Sequence, residues 1–303
     1  MQNFFSRLLA GNNLAILVSA MIGFFILTYI IYNAISYFVL KERYHGIRFT
    51  TKNIAYITIF TAVSVSVTIV IALTVPITVF PPIRIAFQGV MIKIIGFIFG
   101  PIVGVLAGLI SEMLVLLFVP SFIHPAFIIT IVYFGFISGI GSSFLRLSKG
   151  NNWITMSVIN VFLISFTIFV FFIITYSKQE YFIIMSIHMS KEVFKWIFLF
   201  SMGVSTFITW FIFIVMTAWG KQKQLNTLLP ILLFAVASEY LITSVISAWG
   251  DYEFLGLGSV EESEGYILTL MARLVVAPIQ IIFNTTILYF VYKAVEPLVK
   301  RDR

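Results

Sequence analysis

The chain alternates long apolar runs with short polar breaks, and the runs have the length of membrane spans. A helix needs about 20 residues to cross the hydrocarbon layer. Runs near that length fall at 14–40, 53–80, 86–100, 101–119, 126–145, 154–176, 194–219, 228–249 and 267–294, which predicts nine helices. The expected fold is therefore all-α, a polytopic integral membrane protein. The first run is too long for a signal-peptide core and lacks a small-residue cleavage site, so it reads as a retained membrane anchor.

Residues 96 to 108 carry the strongest local signal. Gly96, Gly100, Gly104 and Gly108 recur at every fourth position, with Pro101 among them. Glycine ends one helix and proline opens the next, so two spans should meet with almost no loop. Gly104 and Gly108 share a face where a neighbouring backbone can come close, and Glu112 continues that face one turn later.

Composition supports the membrane class, with 60% hydrophobic and only 10% charged residues. Cysteine is absent, which excludes disulfides and thiolate metal sites, and His45, His124 and His188 are too scattered for a zinc cage. The net charge of +7 lies mostly in loops. Nucleic acid is not an expected partner; membrane lipid is. Lys41, Arg43, Arg48 and Lys52, Arg146 and Lys149, Lys221 and Lys223, and Lys293, Lys300, Arg301 and Arg303 all fall on one side in one alternating topology. By the positive-inside rule that side is cytoplasmic, with the N-terminus outside and the C-terminus inside. Asp251, Glu253, Glu261, Glu262 and Glu264 then read as an acidic external loop, while Lys178 and Lys191 fall outside against the trend.

The chain has no Gly-x-x-x-x-Gly-Lys-[Ser/Thr] phosphate loop, so ATP-driven work would need a partner. HExxH and Gly-x-Ser-x-Gly motifs are absent too, and the chain is read as a non-enzyme without a bound cofactor or metal. Candidate chemistry lies in polar residues within apolar helices. Thr269, Arg273, Gln280 and Asn284 fall on one stripe of the last span, beside Pro278, and Glu239, Thr243 and Ser247 align on the span before it. Glu112 and Arg273 lie roughly 10 Å below the external helix ends, and Glu239 and Gln280 about 15–20 Å. That depth places Glu112 within reach of Arg273. Such groups either glue helices together or line an outward-facing pocket for a polar ring, with Tyr133, Tyr240 and Trp249 as stacking partners. Lys93 is either a pocket cation or a side chain that snorkels to the interface.

Four segments carry a family resemblance: Pro82–Phe87, Gly96–Gly108, Ser111–Pro120 and His124–Thr130. Together with Arg273-Leu-Val-Val-Ala-Pro-Ile-Gln280, they resemble the substrate-binding S component of energy-coupling factor (ECF) vitamin transporters, closest to the folate type. The similarity covers 53–147 and 228–298. It implies a six-helix core over 53–303, with a two-helix insertion at about 154–219 and an extra N-terminal helix and basic linker over 1–52, about three extra helices in all. It differs from the family in Glu112, where an aspartate is more usual.

The resemblance implies capture of a vitamin outside a bacterial cell membrane and its delivery inward with a transmembrane T component and two ATPases, which use the ATP. Arg84, Glu112, Glu239, Arg273, Gln280 and Asn284 are the expected substrate-binding residues. For a folate-like ligand, Glu112 would accept from the pterin ring while Arg84 or Arg273 took the anionic tail. Thr58, Ala62 and Ser66 make a small-x-x-x-small stripe for docking the T component, which packing within the chain would explain equally. The other readings are a different vitamin, such as riboflavin or pantothenate, an ion-coupled carrier using Glu112, Glu239 and Lys93, or a membrane enzyme.

Overall fold

The computed structural model describes residues 51–74, 81–119, 124–148, 152–176, 181–184, 187–254 and 262–300, and four helical positions at 27, 30, 34 and 37. The span expected at 14–40 otherwise lies outside the described residues. The helices are α1 (Thr51–Thr74), α2 (Pro81–Phe99), α3 (Pro101–Phe118), α4 (Pro125–Ser148), α5 (Asn152–Tyr176), α6 (Lys191–Ala218), α7 (Gln222–Ala237), α8 (Ser247–Phe254) and α9 (Glu262–Lys300). A π-helical segment, Ser238–Ile246, joins α7 to α8 in one continuous rod. Seven of the described helices are long and apolar enough to cross a membrane, and α2 adds a shorter apolar stretch, Gly89–Phe99. The protein is thus an all-α polytopic membrane protein. A small antiparallel hairpin, β1 (Tyr181–Ile184) and β2 (Ile187–Ser190), links α5 to α6 with Tyr181 opposite Ser190.

The glycine-proline corner forms as its residues dictate. Gly100 alone separates α2 from α3, with φ 95°, a conformation that side chains disfavour. Its N–H donates to the Gly96 carbonyl at 2.8 Å and its own carbonyl accepts from Gly104 N at 3.0 Å. Beyond the corner α3 runs back against α4. A Cβ at Gly104 or Gly135 would collide with the other residue's backbone carbonyl, and one at Gly139 would meet Pro101. Lipid gives helices no hydrophobic reason to associate, so such close backbone contact is what binds α2, α3 and α4 into one layer.

The rod from α7 to α8 is the centre of the molecule. Its span is 78% buried, against 28% for α5 and 33% for α6. It lies between two apolar cores: one with α2, α3 and α4 through Phe97, Phe134 and Phe234, the other with α5 and α6 through Phe166, Phe198 and Leu229. The helices expected as an insertion, α5 and α6, form a peripheral pair whose outward face is apolar, including Phe169, Trp196, Phe200 and Phe207. The rod exceeds its expected bounds, 228–249, at both ends. Pro230 lies within α7 without ending it, and α8 continues to Phe254 through residues that the sequence places in an acidic loop.

Candidate functional site

Two polar clusters lie where α2, α4, the central rod and α9 meet. In the first, α9 presents Arg273 and α8 presents Asp251. Arg273 Nε donates to Asp251 Oδ2 at 2.6 Å, with Nη2 at 2.6 Å from the same oxygen. Both side chains are buried. A guanidinium taken out of water needs a carboxylate close by, and Asp251 supplies it. The expected pair with Glu112 is not formed: Arg273 turns to α8, while Glu112 is buried on α3. Thr269 Oγ1 donates to the Ala248 carbonyl at 3.0 Å, fixing α9 to α8 beside the pair. Arg273 Nη1 and Asp251 Oδ1 have no hydrogen-bond partner among the described residues.

Asp251 and Glu253 belong to α8, and Glu262 and Glu264 to α9, rather than to a loop. Glu261 lies outside the described residues. Glu253 organises a rim: Trp249 Nε1 donates to its Oε1 at 3.0 Å, and His124 Nε2 lies 3.0 Å from its Oε2. His124 Nδ1 accepts from Ala126 N at 3.3 Å, so the neutral ring carries its proton on Nε2, toward Glu253. Burial lowers the His124 pKa below its ordinary 6.5, and the neighbouring Glu253 carboxylate opposes that shift. Below this rim Thr130 and Ser247 share a hydrogen bond of 3.0 Å between α4 and α8.

The second cluster is deeper. Glu239, on the π-helical segment, accepts from Asn284 Nδ2 at 3.5 Å through Oε2. Glu239 Oε1, Asn284 Oδ1 and Thr285 Oγ1, all buried, have no hydrogen-bond partner among the described residues. Lys93 on α2 is also buried, with its Nζ 4.1 Å from the centre of the Phe134 ring. Its burial leaves no room for snorkelling.

The widened turns around Glu239 have a local cause. Thr243 Oγ1 donates to the Ser238 carbonyl at 3.3 Å and Ser244 Oγ to the Glu239 carbonyl at 2.9 Å, each five residues back. Such segments recur at functional sites because they re-aim side chains along an otherwise regular rod.

The other expected residues divide. Gln280 is half-buried on α9 between Arg273 and Asn284. The backbone of Arg84 lies in α2, while its side chain is outside the described residues. Tyr240 points away from the polar seam, bonding Ser205 at 2.5 Å and packing on Phe166, so it braces α6 and α5 instead of lining a pocket. Tyr133 is half-buried against Phe136, and Trp249 stands edge-on to His124. Thr58, Ala62 and Ser66 are exposed on α1, opposite the buried Thr61, Ser64, Val65 and Thr68. Asp251 is the residue that sequence reasoning missed. Its spacing from Arg273 holds no signal, and only the continuation of α8 past Gly250 brings the two together. No cluster of metal-ligating side chains occurs among the described residues.

No curated protein and no solved structure matches the chain. A family model does: that of the ECF-type riboflavin transporter, S component, over residues 48–222. The matched stretch runs through α1 to α6, including the two helices expected as an insertion, and contains Lys93 and Glu112. Glu239, Asp251, Arg273 and Asn284 lie beyond it. The family is the riboflavin type where the sequence resemblance pointed to the folate type. With more than half of its length accounted for by that one model, and with a bundle of membrane helices around buried charge, the chain belongs to the S-component family of ECF-type transporters.

Proposed function

We propose that the protein binds a vitamin with a flat heteroaromatic ring, riboflavin in the first place, in the polar seam between α2, α4, the central rod and α9. The single observation that supports this reading is the set of buried polar atoms without a hydrogen-bond partner among the described residues: Arg273 Nη1, Asp251 Oδ1, Glu239 Oε1 and Asn284 Oδ1. Helix glue consumes its hydrogen-bonding groups, whereas a binding seam leaves them for the ligand. Glu112 on α3 and Gln280 on α9 are further candidates in this reading, and Arg84 is a candidate from the sequence alone. The matched family supports riboflavin as the ligand, and the Arg273-to-Gln280 segment supports folate as the second reading.

The vitamin enters from outside and leaves toward the cytoplasm, in the topology with the N-terminus outside and the basic loops inside. Transport uses a T component and two ATPases, because the chain has no phosphate loop of its own. The T component docks on Thr58, Ala62 and Ser66, which α1 presents outward. On this reading α5 and α6 are a peripheral addition to a six-helix core, in the plasma membrane of a bacterial cell.

The test is to purify the protein from cells and record the absorbance and mass of whatever is extracted from it. A flavin released at near-equal molar ratio is the expected result, and a pterin the second. Protein that releases neither, binds neither vitamin when titrated, and never co-purifies with ATPase subunits would refute the proposal.

A further inference from the structure

His124 stands at a junction between two helices. It is the residue before α4, whose first helical position is Pro125. Its carbonyl accepts from Phe127 N at 3.1 Å and its Nδ1 from Ala126 N at 3.3 Å, so the imidazole caps the helix as a serine or asparagine would. On the other side of the ring, Nε2 lies 3.0 Å from Glu253 Oε2 on α8, and the Trp249 ring stands edge-on at 4.9 Å between centroids. One side chain thus ties the last turns of the rod to the first turn of α4. The tie lies at the end of the rod away from Lys221 and Lys223, which is the external end in the proposed topology.

The tie holds in one protonation state. An imidazole that accepts at Nδ1 and carries its proton on Nε2 is neutral, whereas the imidazolium has a proton on both nitrogens. The added N–H would point at the Ala126 N–H, donor against donor, and the charge would sit at the positive end of the α4 dipole on a side chain only 4% exposed. Glu253 is the charged group that faces the ring from α8, where Asp251 is engaged by Arg273, and α4 contributes the uncharged Phe127 ring. The Glu253 carboxylate favours the imidazolium, but at 27% exposure it stays partly in water and its pull is screened. Burial outweighs that pull and holds the His124 pKa below 6.5. A ring that binds its proton less readily in the tied state than in water is released as pH falls.

We propose that His124 is a pH-sensitive latch: neutral, it clamps α8 to α4 and slows exit from the polar seam, and protonated, it lets α8 go and speeds exit. The release is local. The Thr130–Ser247 bond and the Arg273–Asp251 pair hold α8 independently of the imidazole, so the end of the rod loosens while the bundle stays assembled. What the latch restrains rests on the vitamin-binding reading; the latch itself rests on His124, Ala126, Glu253 and Trp249.

The first experiment needs no ligand. Tryptophan fluorescence of the purified protein in detergent is titrated from about pH 7.5 to about pH 5, the range in which histidine changes charge. Wild type should show a transition with its midpoint below 6.5, reported by Trp249 against the ring. His124→Asn keeps an acceptor for the Ala126 amide but takes up no proton, and should be flat. Glu253→Gln still accepts from Trp249 but carries no charge, so its transition should move to lower pH. A wild type without a transition, a transition that persists in His124→Asn, or one that stays in place in Glu253→Gln overturns the latch; the last decides the matter even where His124→Asn fails to fold. In the second experiment, protein loaded with riboflavin, or with folate should that be what binds, is diluted at about pH 7.5 and about pH 5.5 and release is followed by ligand fluorescence. Release roughly 5- to 10-fold faster at the lower pH is expected in wild type, the worth of one hydrogen bond, with equal rates in His124→Asn. Equal rates in wild type overturn the restraint on exit. Protein that binds neither vitamin overturns the proposed function and that restraint with it, while the tryptophan titration still decides the latch.

Discussion

A guanidinium buried within a membrane bundle is held there by its partner, and removing either member leaves an uncompensated charge. Asp251→Ala should therefore destabilise the protein by about 3–5 kcal/mol. The double variant Asp251→Leu, Arg273→Met should recover most of that loss, as read by a double-mutant cycle on thermal unfolding midpoints in detergent. Arg273→Ala alone, which from the sequence looks harmless to the bundle, falls in the destabilised class because it strands Asp251. That Arg273 needs a partner or a task was legible, since an arginine on an apolar helix, with Thr269 and Asn284 on the same stripe, is too costly to keep there otherwise. Its partner was not legible. Asp251 follows Trp249 and Gly250 among acidic residues that look like a loop, and no one-dimensional pattern says that the helix continues through them. Tyr240 misled for a related reason: spacing placed it near Glu239, but its direction is set by Ser205 on a helix far away in sequence.

Among the elements, the α2–α3 corner and its seam with α4 depend on the absence of side chains. Gly104→Val should cost about 3 kcal/mol or more, since the added atoms meet the Gly135 backbone, which cannot move aside. A midpoint lowered by several degrees checks it; an unchanged midpoint would mean that the layer has slack. This corner was the best-announced element in the chain, because a glycine at every fourth position and a proline at the first helical position admit few structures. The π-helical segment was announced by nothing. Ser238–Ile246 contains neither glycine nor proline, and its extra residue per turn depends on Thr243 and Ser244 bonding carbonyls five residues back. A reading based on 3.6 residues per turn does not foresee this segment, although Glu239, Thr243 and Ser247 are all buried.

For the whole molecule, the apolar runs were enough to establish a multi-pass bundle, and the fold departs from them chiefly at helix ends and in the small hairpin. The order of packing was less legible. Length and hydropathy make α7 and α8 resemble their neighbours, yet this rod is the enclosed one and α5 and α6 are peripheral. The outward face of α1 offers the corresponding prediction. Ala62→Leu should abolish uptake by cells while leaving vitamin binding by the purified protein within about twofold of wild type, because the residue is exposed and far from the seam; the proposed docking is then blocked by bulk. Paired uptake and titration measurements check both halves.

The buried charges are divided across position 222. Lys93 comes from the stretch shared with the family, while Glu239 comes from the rod that follows. A fragment cut at that point would lose Phe234, which packs on Phe97 of α2, and would bare to lipid the face that the early helices turn to the rod.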